Sequence, residues 1–247
     1  MSAKGEEGQT MDSNLADRFI DKTVLTFDVY GTLIDWEAGL FSALSPILLA
    51  YGCSLSADAA LELYVRHEAD LEAGPYLTYR EVLAETLRRI GADLCFEPNP
   101  AELEAFSHTV GDWPAFADSA ATLQRLKQRF RLAVITNCDD ELFAVSNRKL
   151  GVDFDYVITA QQARSYKPSL NNFHVAFGRI GVPRHEILHV AQSLFYDLVP
   201  ASILGLESIW INRRDRRPGL GATSDARATP DAQFPDMASF ATAIGCK

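Results

Sequence analysis

No stretch of the chain approaches the ~18–20 consecutive apolar residues that a membrane-spanning helix needs, so no membrane partner is expected. Residues 1–21 are polar and acidic, lack the apolar core of an export signal, and are expected to fray. Cysteine is sparse. Cys53, Cys95, Cys138 and Cys246 stand far apart, with no CxxC pair and no metal-ligand spacing, and read as reduced thiols of a cytoplasmic protein. Cys138 lies near a predicted strand end, where a packing role is the simpler reading. The five histidines also lack ligand spacing, and His189, inside a predicted strand, reads as a core residue. Basic residues are outnumbered: 23 Lys and Arg against 33 Asp and Glu leave a formal net charge of −10. That balance argues against a nucleic-acid partner, which needs clustered Lys and Arg. It leaves room for a small anionic substrate, since one basic side chain in a cleft can hold one.

The 247 residues, 47% hydrophobic and 23% charged, are ordinary for a globular α/β chain with a sizeable insertion. Residues 23–29 are β-branched and apolar and end in the turn signal Tyr30-Gly31-Thr32, the pattern of a buried strand with Asp28 at its carboxyl end. Further strands are predicted at residues 131–136, 156–159, 187–191 and 207–212. Helical patterns lie between them at 120–129, 139–150 and 171–180. Strands alternating with helices imply a parallel sheet covered on both faces. About a hundred residues separate Asp28 from Thr136 with almost no strand signal, too many for one crossover. Helices are expected there at 38–51, 57–71, 79–90 and 101–109. The expected organisation is therefore a free N-terminus (1–22), an α/β core (23–35 and 116–247) and an inserted helical cap (36–115). Residues 213–234 read as irregular, with a short closing helix at 237–244.

Ligands of open parallel sheets bind beyond the carboxyl ends of the strands. Asp28, Tyr30, Thr32, Thr136, Asn137, Lys167, Gln192, Ser193 and Asp197 are all expected at that edge. A carboxylate held ionised and aimed at an electrophilic atom can act as a nucleophile. Lys167 would favour the charged form of Asp28. The Thr32 hydroxyl and nearby backbone N–H groups could stabilise developing charge. Asp197 could accept from Lys167 or orient water.

Four segments resemble the haloacid dehalogenase superfamily in order and spacing: residues 27–33 (FDVYGTL), 135–137 (ITN), 166–168 (YKP) and 190–197 (VAQSLFYD). The resemblance spans residues 23–212 and implies a Rossmann-like core with a helical cap. It also implies Asp28 as covalent nucleophile, with Lys167, Asp197, Ser193 and Thr32 in the catalytic group. Superfamily phosphatases resemble Asp-x-Asp-Gly-Thr, whose second Asp protonates a leaving alcohol. Here Tyr30 stands in its place, and a phenol of reference pKa about 10 is a poor acid at neutral pH. A halide needs no proton. Paired acids that would hold Mg²⁺ in a phosphatase are reduced by Gln192. The reading closest to the residues is thus a cofactor-free hydrolase of small 2-haloalkanoic acids. In it Tyr30, Thr136 and Asn137 line the substrate site, and a cap arginine, Arg66 first and Arg80 as its rival, binds the substrate carboxylate by bidentate geometry. Trp36, Tyr76 and Trp113 could wall its pocket. Phe173 stands where the dehalogenases carry a tyrosine. Two other readings stay open: an Mg²⁺-dependent phosphatase drawing its acid from the cap, and a catalytically silent binding protein. The resemblance also allows a homodimer.

Overall fold

The computed structural model describes residues 15–214 and 226–246. Residues 1–14 of the segment expected to fray, and residues 215–225 of the stretch expected to be irregular, lie outside the described residues; residues 15–18 are instead helical and Phe19 is buried in the core.

Six strands form one parallel sheet: β1 (Val24–Phe27), β2 (Arg131–Thr136), β3 (Tyr156–Thr159), β4 (Ile187–Ala191), β5 (Glu207–Ile211) and β6 (Ala232–Phe234). Their spatial order is β3-β2-β1-β4-β5-β6, so β1 is central, between β2 and β4. Strand β6 corrects the expectation of irregular chain through residue 234. It adds to the edge, parallel to β5, with Ile209 opposite Ala232. Its two modestly buried flanking positions give too little periodicity to read from sequence.

The apolar runs are explained by burial on both faces. Leu25, Phe27, Leu132, Val134, Leu188 and Val190 enter one core. The alternate residues Val24, Ala133, Ile135 and Ile187 enter the other. Each fully buried side chain of this kind contributes roughly 1.5–3 kcal/mol. Helices α5 (Ser119–Lys127), α6 (Asp140–Leu150), α7 (Ala160–Ala163), α8 (Leu170–Ile180), α9 (Val199–Ile203) and α10 (Met237–Ala243) connect or flank the strands.

Between β1 and β2 the chain forms α1 (Trp36–Ala50), α2 (Ala57–Glu72), α3 (Tyr79–Asp93) and α4 (Pro100–Ser107), then a 3₁₀ turn. Side-chain caps start each helix: Asp35 for α1, Ser56 for α2, and capping boxes of Thr78 with Glu81 for α3 and Asn99 with Glu102 for α4. The chain leaves and re-enters at one place, where Ile34 bridges Ala115. A second tie crosses from the core: Asp139 accepts from the backbone N–H groups of Tyr79 and Arg80 at 3.0 and 3.1 Å. It thereby holds the N-terminus of α3 beside β2. No helix among the described residues is long and apolar enough to cross a membrane.

Candidate active site

The carboxyl ends of β1, β2 and β4 face α2 and α3 across a small cavity of about 70 Å³. At its floor Lys167, 1% exposed, lies between two carboxylates. Its Nζ donates to Asp28 Oδ1 at 2.8 Å and to Asp197 Oδ1 at 2.7 Å. Thr32 Oγ1 donates to Asp28 Oδ2 at 2.7 Å and accepts from the Gln192 backbone N–H at 2.8 Å. Asp28 thus has both oxygens fixed, one by an ammonium and one by a hydroxyl. Thr32 can reach back because the chain turns sharply at Gly31, where φ is +98°. A Cβ there would come within 2.9 Å of the Gln192 side-chain oxygen, so glycine lets β1 and the segment after β4 meet.

Burial raises the Asp28 carboxyl above its ordinary value, opposed by Lys167 and reinforced by Asp197. Asp197 is also buried, yet Lys167 and His189 together hold it below the ordinary carboxylate range. Burial alone would depress Lys167, but Asp197 and Asp28 overcome it and keep the ammonium protonated. The triad is therefore one ion cluster with the cation in the middle.

His189 is a positioning residue that sequence reasoning treated only as core. It lies opposite Thr26 in the β1–β4 register. Its Nδ1 is 2.9 Å from Thr26 Oγ1 and its Nε2 is 3.1 Å from Asp197 Oδ1. Asp197 sits in the short π-helical segment Leu194–Leu198 after β4. Ser193 caps that segment by accepting from the Tyr196 N–H at 2.9 Å, and it also lines the cavity. The other oxygen of Asp197, Oδ2, is buried and unpartnered.

Several expected roles change. Asn137 lines the cavity, but both ends of its amide are engaged by the Lys167 peptide: Nδ2 donates to its carbonyl at 3.0 Å, and Oδ1 accepts from its N–H at 2.7 Å. It positions Lys167 rather than standing free for substrate. Thr136 does not line the cavity, and its buried hydroxyl has no partner among the described residues. Tyr30 presents its ring, edge-on to Trp113 at 5.5 Å between centroids, and turns its hydroxyl away toward Ser146 and Cys138. Burial keeps that phenol well above its ordinary pKa, so it stays neutral. The Cys138 thiol is pushed up to about 12 by burial and is inert packing. Trp36 and Trp113 do wall the cavity, whereas Tyr76 stacks on Tyr166 outside it.

Neither cap arginine reaches the site. Arg66 is on the outer face of α2, where it pairs with Asp93 at 2.6 Å and its side chain is 62% exposed. Arg80 pairs with Glu141 at 3.0 Å on the surface. Two residues of α2 lie about 200° apart around a helix of 3.6 residues per turn, so a chain that points Tyr64 inward points Arg66 outward. The inward positions are Tyr64, Glu68 and Glu72. Glu68 Oε1 accepts from the Tyr64 and Tyr79 hydroxyls at 3.1 and 2.7 Å. Glu72 Oε2 accepts from Asn137 Nδ2 at 3.3 Å. Burial lifts Glu68 to about 6, against the two tyrosine hydrogen bonds. It lifts Glu72 well above its ordinary range, with Glu68 adding to the effect.

Magnesium is bound through hard oxygen donors, usually one or two carboxylates together with water and substrate. Among the described residues, the core-side carboxylates of the cavity are Asp28 and Asp197, both already ion-paired with Lys167, and Gln192 contributes a neutral amide. No group of three or more His, Cys, Asp or Glu that could hold a metal ion occurs among the described residues.

Residues 22–197 match the family of haloacid dehalogenase-like hydrolases. The chain belongs to that family. It is 26% identical over 219 residues to an (S)-2-haloacid dehalogenase of Pseudomonas putida, covering 83% of this chain and 89% of the relative. It is 28% identical over 236 residues to 5-amino-6-(5-phospho-D-ribitylamino)uracil phosphatase YigB of Escherichia coli, covering 90% and 96%. Its fold is similar to that of L-2-haloacid dehalogenase from Xanthobacter autotrophicus. That match has a TM-score of 0.75 at 20% identity and covers 89% of this chain and 96% of that one. The family establishes a hydrolase on a haloacid dehalogenase-like fold; its relatives act on both halogenated acids and a phosphoester.

Proposed function

We propose that Asp28 displaces halide from a small haloalkyl compound, without a metal, and that water then hydrolyses the resulting aspartyl ester. The observation that carries this reading is the Asp28–Lys167–Asp197 cluster at the floor of a cavity in which Tyr30 and Gln192 occupy the positions of two acids. One Asp28 oxygen attacks the halogen-bearing carbon. The new C–O bond forms as the C–X bond breaks, and the bonding pair leaves with the halide. The ester carbonyl then faces the Lys167 ammonium, which stabilises negative charge on its oxygen. Asp197 Oδ2, free of any partner, accepts a proton from the attacking water. Cleavage of the acyl–oxygen bond releases the alcohol, which takes that proton, and restores Asp28 with one oxygen from water. The sum is R–X and water giving R–OH and HX. Hydrogen-bonded to Asp197, His189 keeps that carboxylate facing the ester.

Water labelled with ¹⁸O tests this. In a single turnover with excess protein the label should enter the Asp28 peptide and be absent from the alcohol, as read by mass spectrometry. Label found in the alcohol alone would refute the ester.

A second reading has one observation in its favour. Glu68, with its pKa near 6, is an acid in the cap of the kind that a phosphatase lacking the second motif-one Asp would need. Its test is phosphate release from small phosphoesters with and without EDTA. The engagement of both core-side carboxylates by Lys167, with a neutral Gln192 beside them, favours the halide reading.

A further inference from the structure

The cavity holds four carboxylates and one cation. Asp28 and Asp197 share Lys167, while Glu68 and Glu72 line the opposite wall, and among the described residues neither arginine nor histidine lines the cavity with them. The open hydrogen-bonding positions are unequal in kind. Among the described residues, Glu68 Oε2, Glu72 Oε1 and Asp197 Oδ2 take no hydrogen bond, although the other oxygen of each carboxylate does. Asp197 is 0% exposed, so its unpartnered oxygen is an acceptor sealed from bulk water. Two further buried polar atoms of the lining are unpartnered, the Tyr196 hydroxyl and Nε1 of Trp113. Buried polar atoms of a finished site are paired. The glutamate oxygens on the cap wall are the acceptors left for a ligand's donors.

We propose that the substrate of this site carries an N–H-bearing end, a primary amide in its simplest form, which Glu68 and Glu72 select over a carboxylate. The proposal deepens the halide-displacement reading above and rests on it for the other end of the molecule. The two N–H groups of an amide match Glu68 Oε2 and Glu72 Oε1, and the halogen-bearing carbon is left for Asp28. A carboxylate in the same place would meet the Glu68 carboxylate with no guanidinium to offset it, a like-charge arrangement that is unfavourable. The aromatic walls Trp36, Tyr79 and Trp113 suit an uncharged organic core.

Chloroacetamide and chloroacetate differ only at the end in question. Halide release by the wild-type protein, corrected for the buffer reaction, should give a kcat/KM for the amide on the order of a hundredfold above that for the acid. In the Glu68→Gln/Glu72→Gln variant that ratio should fall by about tenfold or more. Equal or better turnover of the acid would overturn the proposal. A binding arm separates it from the halide reading: glycolamide and glycolate, which have no halogen, are titrated into wild-type protein and followed by quenching of the cavity tryptophans. Preferential binding of glycolamide without halide release from either chloro compound would keep the donor-end selection and defeat halide displacement. Glycolate binding as tightly as glycolamide, or neither binding at tens of millimolar, would overturn the selection whatever the variant does.

Discussion

Lys167→Met keeps the aliphatic stem of the side chain and removes only the ammonium. Its surroundings make that change costly. Lys167 is 1% exposed and makes 2.8 and 2.7 Å contacts with two carboxylates that are themselves almost fully buried. Removing the cation leaves Asp28 and Asp197 without their common counter-charge, and breaking a buried pair in this way typically costs about 3–5 kcal/mol. A chain of 247 residues has an unfolding entropy of roughly 0.5 kcal/mol per kelvin. The melting temperature should therefore drop by about 6–10 °C at pH 8. The pH dependence gives the mechanism away. Lys167 lowers the pKa of both aspartates, so its loss raises Asp28 further above its unfolded value and takes away the depression that stabilises ionised Asp197. A group with a raised folded pKa is best accommodated when protonated and becomes costly as pH rises through that value. The deficit relative to wild type should therefore shrink at pH 5 and widen at pH 8. Calorimetric melts at both values decide the matter. A drop below about 2 °C, or the same drop at both, would show that the cluster is not held by its central cation.

Other outcomes follow from single contacts. Glu68 rises from an ordinary 4.5 to about 6, so its ionisation costs nothing below pH 4.5 and at most about 2 kcal/mol above pH 6. Glu68→Gln, whose amide oxygen can still accept from Tyr64 and Tyr79, should gain stability at pH 8 and none at pH 4.5; denaturant melts would show the difference. Asp139→Ala removes the acceptor for two backbone donors at the start of α3, and a loss of about 1–2 kcal/mol is expected, read by urea unfolding. Since burial raises Asp28, the acid limb of kcat/KM should lie above the ordinary carboxylate value, and a limb at or below that value would mean another group is titrating. Asp28→Asn should lower turnover by roughly 10³-fold or more while the protein stays folded, as circular dichroism would report.

The core and its floor were legible because each motif sits where a strand stops. Val24–Phe27 and Ile187–Ala191 are short apolar runs cut off by polar residues, and the parallel-sheet rule carries Asp28, Lys167 and Asp197 to one edge without any three-dimensional information. The cap wall was harder to read for a physical reason. In residues 64–68 the eye goes to Arg66, because a cation matches a carboxylate substrate, yet orientation on a helix is set by the apolar stripe. Ala60, Leu61, Tyr64 and Leu71 are the buried side chains of α2, and Glu68 and Glu72 follow Tyr64 at intervals of four. Placing the stripe first would have put both glutamates inward and Arg66 outward. His189 was passed over for the opposite reason: a histidine within a buried strand looks like filler until the register shows it between Thr26 and Asp197. Strand β6 and the π-helical turn that presents Asp197 have no sequence period that marks them.

Tyr30, Gln192, Glu68 and Glu72 belong to one redistribution of charge. Two acids are missing from the core side of the cavity, where they would strengthen a cation site, and two are present on the cap side, above the nucleophile. Among the described residues the Asp28 carboxylate is held by a lysine and a threonine, the arrangement on which the halide-displacement proposal rests. The cap-side change alters what can approach. Asp28 is anionic when it reacts, so any incoming molecule must pass acceptors on both walls. An anionic substrate would be repelled by Glu68 before it reached Lys167, whose ammonium is already shared by two carboxylates. A substrate with donors at one end and a good leaving group at the other meets no such barrier. The same loss of an arginine that removes the expected carboxylate clamp therefore makes the site selective for a different end group, and selectivity of that sort is carried as much by the repelled competitor as by the bound ligand.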